Sequence, residues 1–354
     1  MLSRSAAQNS GNHGKKWLNP LGGVWSWLFE DSYARPLAES EARVDADPGK
    51  TEERAYNDKI QWIRAIPFLL IHVACLAVFW VGISPLAIGV AVLLYLTRMF
   101  AVTGFYHRYF SHRSFRTSRV FQFVMATFAC TAGQRGPLWW AGHHRWHHKH
   151  SDQHEDLHSP SLLGFMRSHT GWFLTHSAHA TPKALVKDWY RFGELRLLNR
   201  LDWLPFVLLG AALFALGQLL ASIAPGLGTN GPQLLVWGFF VSTVVLYHAT
   251  YTINSLAHRF GSRRFNTSDD SRNNFSLALL TLGEGWHNNH HHFPSSARQG
   301  FYWWEIDFTY YGLKLLNCCG LIWDLKPVSE KALQRNLVAP VGGPPESTTG
   351  KVSS

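Results

Sequence analysis

RAIPFLLIHVACLAVFWVGISPLAIGVAVLLYLTR, residues 64–98, carries no charged side chain between its two terminal arginines, and its apolar run breaks only at Gly82-Ile-Ser-Pro85. Continued to His107, the stretch is roughly 40 residues, enough for two bilayer-spanning helices of about 20 residues each joined by a very tight turn. The pattern returns from Trp203 to Ala257, which holds no Asp, Glu, Lys or Arg and is divided by Pro225-Gly-Leu-Gly-Thr-Asn-Gly-Pro232. Four spans are expected, at about 65–83, 86–107, 203–223 and 233–257, paired as two hairpins in an all-α membrane protein.

Charge placement orients these spans. Lys and Arg fall in 1–64, 98–200 and 259–351, and neither short turn carries one. The positive-inside rule therefore puts both termini and the central stretch in the cytoplasm. Composition agrees, because charged residues are only 16% and aromatics 14%, with 16 Trp, which argues against two soluble domains. The formal charge of +10 points to anionic lipid headgroups, with an acidic redox partner or a phosphorylated substrate as further possibilities, and requires no nucleic acid. Cys75, Cys130, Cys318 and Cys319 show no metal or redox spacing and read as small apolar fillers in a reducing compartment. Residues 1–60 form a polar tail without a cleavable leader, in which Trp17, Trp25, Trp27, Leu28 and Phe29 either rest on a membrane surface or pack. The main domain covers 61–325, with a cytoplasmic cap from 108–200 and 259–325, and a second tail occupies 326–354. Segments 118–132 and 300–318 are expected to lie along the interface.

Histidines supply the chemistry. They come in three blocks, His107-Arg-Tyr-Phe-Ser-His112, His144-Arg-Trp-His147-His148 and His287-Asn-Asn-His290-His291, with His258 and Asn254 one turn apart at the end of the fourth span. The second and third blocks share the i, i+3, i+4 spacing that places three imidazoles on one helical face, so each is expected to clamp a cation. The first has i, i+5 spacing and can converge on the same ions only if its helix bends or ends between the two histidines. Nine imidazoles and a carboxamide suit two metals. Imidazole accepts Zn, Cu or Fe, and without a Glu placed as in HExxH, redox chemistry on a lipid is favoured over hydrolysis.

These blocks, with Asn254-Ser-Leu-Ala-His258 and Gly283-Glu-Gly-Trp-His287-Asn-Asn-His-His-His-Phe-Pro294, resemble the membrane fatty acyl desaturases of the stearoyl-CoA (delta-9) type over about residues 62–325. The resemblance implies a di-iron centre held by His107, His112, His144, His147, His148, His258, His287, His290 and His291, with Asn254 acting through a water. Zinc is a possible replacement in recombinant protein, and no flavin or haem is implied. It also implies an acyl tunnel kinked at Gln134, Trp140 and Thr250 and closed by Tyr95 and Met99. Dioxygen and two electrons from a ferredoxin- or cytochrome-type donor with its NAD(P)H reductase would drive insertion of a cis double bond. The animal acyl-CoA contacts are replaced by Gly142, His143 and Arg135, which leaves an acyl-CoA, an acyl-lipid or a carrier-protein substrate open. The loop Ser151–Pro160 looks bacterial, implying an inner-membrane protein. Alternatives are a related di-iron lipid or alkane hydroxylase and a His-rich metal-binding membrane protein. His143 and His292 fall off the ligand faces, His72 and His248 are expected to be hydrogen-bonded within the spans, and His158 and His169 are candidates for supporting the ligands.

Overall fold

The computed structural model describes residues 58–338, so most of the N-terminal tail, with its five aromatic and apolar candidates, and the end of the C-terminal tail lie outside the described residues. Among the described residues, four helices are long and apolar enough to cross a membrane: α1 (Trp62–Val81), α2 (Pro85–Ser111), and, later in the chain, Trp203–Ile223 and Gly231–Ser255. Phe79 and Trp80 are each 80% exposed, which is affordable only against lipid.

The turn between α1 and α2 is three residues, Gly82-Ile-Ser84. Gly82 turns the chain with φ +71°, and Ser84 caps α2 by accepting from the Ala87 amide at 3.1 Å, with Pro85 at the first helical position. Between α2 and the third span come α3 (Arg119–Cys130), α4 (Pro137–His150), α5 (Pro160–Met166) and α6 (Gly193–Arg200). The third and fourth spans, α7 (Trp203–Ile223) and α8 (Gly231–Ser255), approach so closely at their turn that a Cβ on Gly217 would sit 2.5 Å from the Asn230 carbonyl oxygen. From α8, Gln233 Nε2 and Trp237 Nε1 donate to the carbonyls of Val81 and Gly82, tying α8 to the turn between α1 and α2. Then follow α9 (Phe275–Leu280), α10 (His287–His292) and α11 (Phe308–Cys318).

Two expectations are corrected. Arg98, which the charge map places at the end of the apolar run, is wholly buried inside α2. Its guanidinium donates to Ser242 Oγ and Thr243 Oγ1 of α8 and to the Thr131 carbonyl, since a buried cation survives only where hydrogen bonds replace water. Cys318 and Cys319 are exposed and therefore are not buried fillers, whereas Cys130 is buried.

α2 is an ordinary α-helix only to Phe100, and from Ala101 to Ser111 it winds as a π-helix. Every residue of that segment is buried, packed beneath α3, α4 and α11 around Phe105, Tyr106, Tyr109 and Phe110. A short antiparallel ribbon, β1 (Arg116–Thr117) with β2 (Ile322–Trp323), fastens the chain after α2 to the segment after α11. The segments 118–132 and 300–318 contain the helices α3 and α11, with Val120 77% exposed on the first and Trp303 80% exposed before the second.

Candidate metal centre

The π winding answers the i, i+5 problem. A π turn closes from residue i to i+5 and stacks residues five apart on one face, and here the His112 amide donates to the His107 carbonyl at 3.3 Å. The helix also ends between the two histidines, at Ser111, with His112 as its C-cap. Arg145 of α4 then caps the finished helix, donating to the carbonyls of Phe110 and Ser111 at 2.7 and 2.8 Å while forking onto Asp188. That cap fixes the position of His112 relative to the histidines of α4.

The nine imidazoles form two groups, each with its candidate ligand atoms within 4.8 Å of one another: His107, His112, His144, His148 and His290 in one, and His147, His258, His287 and His291 in the other. Neither HxxHH block serves one group, contrary to the sequence expectation of one clamp per cation. α4 sends the i, i+4 pair His144 and His148 to the five-His group and His147 to the other. α10 does the reverse, sending His287 and His291 to the four-His group and His290 to the five-His group. A helical face about 100° wide can straddle two centres when two helices present complementary pairs.

Donor chemistry shows that cations fit. His258 Nδ1–H donates to Asp152 at 2.8 Å, so its Nε2 is a lone pair, and it faces His287 Nε2 at 3.0 Å. His290 Nε2 lies 3.0 Å from His107 Nε2 and 2.8 Å from His148 Nε2. One ring nitrogen carries at most one proton and cannot satisfy both neighbours. His291 Nε2 is buried without a hydrogen-bond partner while its Nδ1–H donates to Asp269 at 2.6 Å. Lone pairs converging in a buried space are what an imidazole-bound metal requires.

A ring of carboxylates orients these rings, as is usual around metal-bound histidine. Asp156 accepts from His147 Nδ1–H at 3.1 Å, and Glu284 accepts from His107 Nδ1–H while pairing with Arg108, which also reaches Asp307 at 2.9 Å. Gln299 Nε2 donates to Glu284 at 3.0 Å, beside the Nδ1 atoms of His107 and His290. The Asn-Asn of the third block is structural. Asn288 accepts from the amides of Arg264 and Phe265, and Asn289 bonds Asn273, the Gln299 carbonyl and Glu305. The sequence analysis did not single out these acids and amides. Two aspartates four apart after the second block were the only local sign, because the remainder approach from distant segments.

Burial, reinforced by neighbouring imidazoles, holds His112, His144, His148, His287 and His290 well below the usual imidazole range, which keeps them neutral. For Asp152, burial works upward but the hydrogen bond and charge of His258 dominate, drawing its carboxyl down to about 2. His147 is burdened by burial too, yet Asp156 lifts it above its ordinary value. The four-His group thus has three of its rings backed by carboxylates, while His107 alone is backed so in the five-His group.

Beneath the histidines two cavities meet. The smaller, about 50 Å³, is lined by Met99, Val102, Thr103, Asn254, His107, His144 and His287 among others. The larger, about 580 Å³, runs beside α1, α7 and α8 and shares Trp140, His144, Thr250 and Asn254 with it. At their junction Gln134 Nε2 donates to Thr250 Oγ1 at 3.0 Å and Trp140 Nε1 donates to Gln134 Oε1 at 3.4 Å. The three kink candidates therefore form one hydrogen-bonded latch. Met99 lines the small cavity. Tyr95 packs beside Met99 and donates from its hydroxyl to the Leu280 carbonyl.

The remaining histidines lie elsewhere. His143 bonds the Ala180 carbonyl at 2.9 Å, and His292 bonds the Ala332 carbonyl at 2.7 Å and stacks on Phe265. His72 and His248 bond each other at 3.0 Å across α1 and α8, and His169 joins that pair at 3.0 Å rather than the metal groups. His158 does stand against the centre, its ring 4.3 Å from that of His147.

Comparison with known proteins supplies the class. The fatty acid desaturase profile matches residues 83–314. An sn-1 stearoyl-lipid 9-desaturase from Anabaena variabilis is 37% identical over 276 residues, covering 77% of this chain and 96% of its own. One of the same name from Synechocystis sp. is 39% identical over 280 residues, covering 77% and 82%. An acyl-CoA C20 Delta5-desaturase from Anemone leveillei is 36% identical over 298 residues, covering 77% and 86%. The chain belongs to the fatty acid desaturase family, with a bacterial-like relationship to delta-9 members, and is an oxygen-dependent oxidoreductase acting on fatty acyl chains.

Proposed function

We propose that this desaturase places a cis double bond at the delta-9 position of a saturated acyl chain carried by a membrane lipid, using two iron ions at the two histidine groups. The observation that carries it is the pair of all-imidazole groups set at the meeting point of two apolar cavities and a polar latch. Two irons, when bound, supply the redox chemistry in which dioxygen, two protons and two electrons become water together with the two hydrogens lost from adjacent methylenes. The nine histidines would hold the ions, with Asn254 acting through a water, and Gln134, Trp140 and Thr250 would bend the chain so that one pair of methylenes faces the centre. Tyr95 and Met99 limit how far the methyl end descends. Acyl-lipid names among the relatives, and the loss of the animal acyl-CoA contacts, support a lipid rather than a CoA carrier.

The electrons come from a separate protein, because the chain has no Gly-rich dinucleotide fingerprint and no haem or iron-sulfur motif. Charge placement supports an inner-membrane position with the centre facing the cytoplasm. Expression in a host lacking its own desaturase, followed by mass spectrometry of total lipids, tests the reading. A new cis-9 double bond is expected. A hydroxylated chain would replace it with the di-iron hydroxylase alternative, and unchanged lipids from a folded, iron-loaded protein would reject both. With purified enzyme, NADPH and oxygen alone should give no product until a ferredoxin or cytochrome and its reductase are added.

A further inference from the structure

The guanidinium of Arg98 is wholly buried within the second span, and nothing in the reaction proposed above uses its charge. Among the described residues its hydrogen bonds all go to neutral oxygens: the Leu94 carbonyl at 3.1 Å on its own helix, the Thr131 carbonyl at 3.3 Å, Thr243 Oγ1 at 2.8 Å, and Ser242 Oγ. A cation taken out of water without a counter-ion costs stability, and an apolar side chain of similar length would fill the same space without that cost. An ionisable residue inside a span is therefore a sign of function. What distinguishes arginine there is reach, because its planar fork of donors holds several acceptors in one fixed geometry.

Those acceptors belong to the segments that shape the acyl cavities. Thr131 ends α3 three residues before Gln134, and Thr243 stands on α8 seven residues, about two turns, before Thr250. Arg98 itself precedes Met99, which lines the small cavity and packs with Ala132, next to Thr131, and with Leu246 and Ala249, beyond Thr243. The turn after α3 is otherwise tied to one span at a time: the Gly133 carbonyl accepts from Tyr247 Oη of α8 at 2.8 Å, and the Arg135 carbonyl from Tyr106 Oη of α2 at 2.8 Å. Among the described residues, Arg98 alone joins α2, that turn and α8 through one side chain.

We propose that Arg98 is a positioning residue that fixes the distance between the tunnel floor at Met99 and the kink at Gln134 and Thr250, and through it the length of acyl chain the protein selects. Apolar contacts are non-directional and leave neighbouring helices free to shift along one another. Donors aimed at three segments hold a single register. The inference rests on the acyl tunnel of the function proposed above, but chain selection by binding requires no turnover.

The test is native mass spectrometry of the metal-loaded full chain in detergent with 1-acyl lysophosphatidylglycerols of 14, 16, 18 and 20 carbons as probes. Each methylene that enters the tunnel strengthens binding until the chain meets the floor, so the wild type should show a sharp optimum, with affinity falling about tenfold or more when two carbons are added beyond it. Arg98→Met should keep its metals and flatten that fall to about threefold or less. Arg98→Lys, which replaces the fork by a single ammonium, should lie between the two. Thr243→Val removes one acceptor, leaves the charge in place, and should flatten the fall in the same direction, which keeps the test open if Arg98→Met does not fold. A merely structural role would lower the melting temperature and leave the optimum sharp. An optimum that stays sharp in every folded variant, or that is absent from the wild type, overturns the proposal. A sharp optimum that the variants flatten, in a protein that forms no double bond, would sink the desaturation reading and leave the role of Arg98 standing.

Discussion

At His290 one imidazole nitrogen lies 3.0 Å from His107 and 2.8 Å from His148, so three ring nitrogens converge where a cation would be held. Losing any ligand of such a centre alters the charge and geometry at an ion the whole reaction uses. Replacing any one of the nine histidines by Ala is therefore expected to abolish product in a folded protein, whereas His292→Ala, which removes a bond to the Ala332 carbonyl and a stack on Phe265, should leave product formation measurable. Two or more of the nine retaining near wild-type product, by gas chromatography of host lipids, would overturn the ligand assignment. One step out, Asp152→Asn keeps the shape but removes the charge that fixes the His258 tautomer. Metal affinity should fall about 10- to 100-fold, read by competition with a chelator, and the loss should affect the four-His ion before the five-His ion.

Among the elements, α2 carries Tyr95 and Met99, the proposed floor for the acyl tail, and His107 and His112, the first two proposed ligands, which lie in the part whose winding changes at Ala101. Inserting one residue between Arg108 and Ser111 would set the two histidines at i, i+6 and turn His112 by roughly 100° away from His107. Metal analysis should then show the five-His ion reduced, with the four-His group still loaded. Full occupancy of both would mean that π winding is not what aligns the pair. Higher in the same helix, Met99 is wholly buried against the small cavity. Met99→Ala should cost about 2–5 kcal/mol in stability and lengthen the tunnel by a few methylenes. Each added methylene contributes about 0.8 kcal/mol on burial, so the ratio of products from 18- and 16-carbon chains should rise by about an order of magnitude or less. An unchanged ratio in both Met99→Ala and Tyr95→Gly, with activity retained, would place the tunnel floor elsewhere.

For the whole molecule, the cap is a concentration of buried imidazoles whose neutrality is imposed by folding. His112, His144, His148, His287 and His290 titrate below their ordinary 6.5 in the folded state, so below that pH the unfolded chain takes up protons that the folded chain refuses. Stability from these groups is complete above 6.5 and declines as pH falls. Asp152, depressed from 3.8 to about 2, adds a second loss in the same direction, beginning near 4 and complete once the folded carboxyl is protonated. Metal retention follows the same sign, because a protonated imidazole is not a ligand. Thermal unfolding of the metal-free protein between pH 8 and 4 should therefore show a melting temperature that falls steadily below about 6.5. A flat profile across that range would contradict the buried, neutral assignment of the rings.

Long apolar runs, the absence of charge in the turns and three histidine blocks determine that this chain carries four helices long and apolar enough to span a membrane and gathers nine imidazoles. Each of those signals is local: a span needs about 20 apolar residues in a row, and a histidine pair needs only its helical spacing. The resemblance implies that Gln134, Trp140 and Thr250 share one tunnel kink, and in the structure the three side chains are joined by hydrogen bonds. Only the tertiary structure decided how the ligands divide. Which centre His147 or His290 joins depends on how α4 faces α10, and spacing within one helix carries no information about a partner helix. The π winding of α2 was equally illegible, since it arises where a wholly buried segment is held between α3, α4 and α11. The acids Asp152 and Asp156, Asp269, and Glu284 reach the rings from three separate segments, and proximity of that kind exists only once the chain has folded.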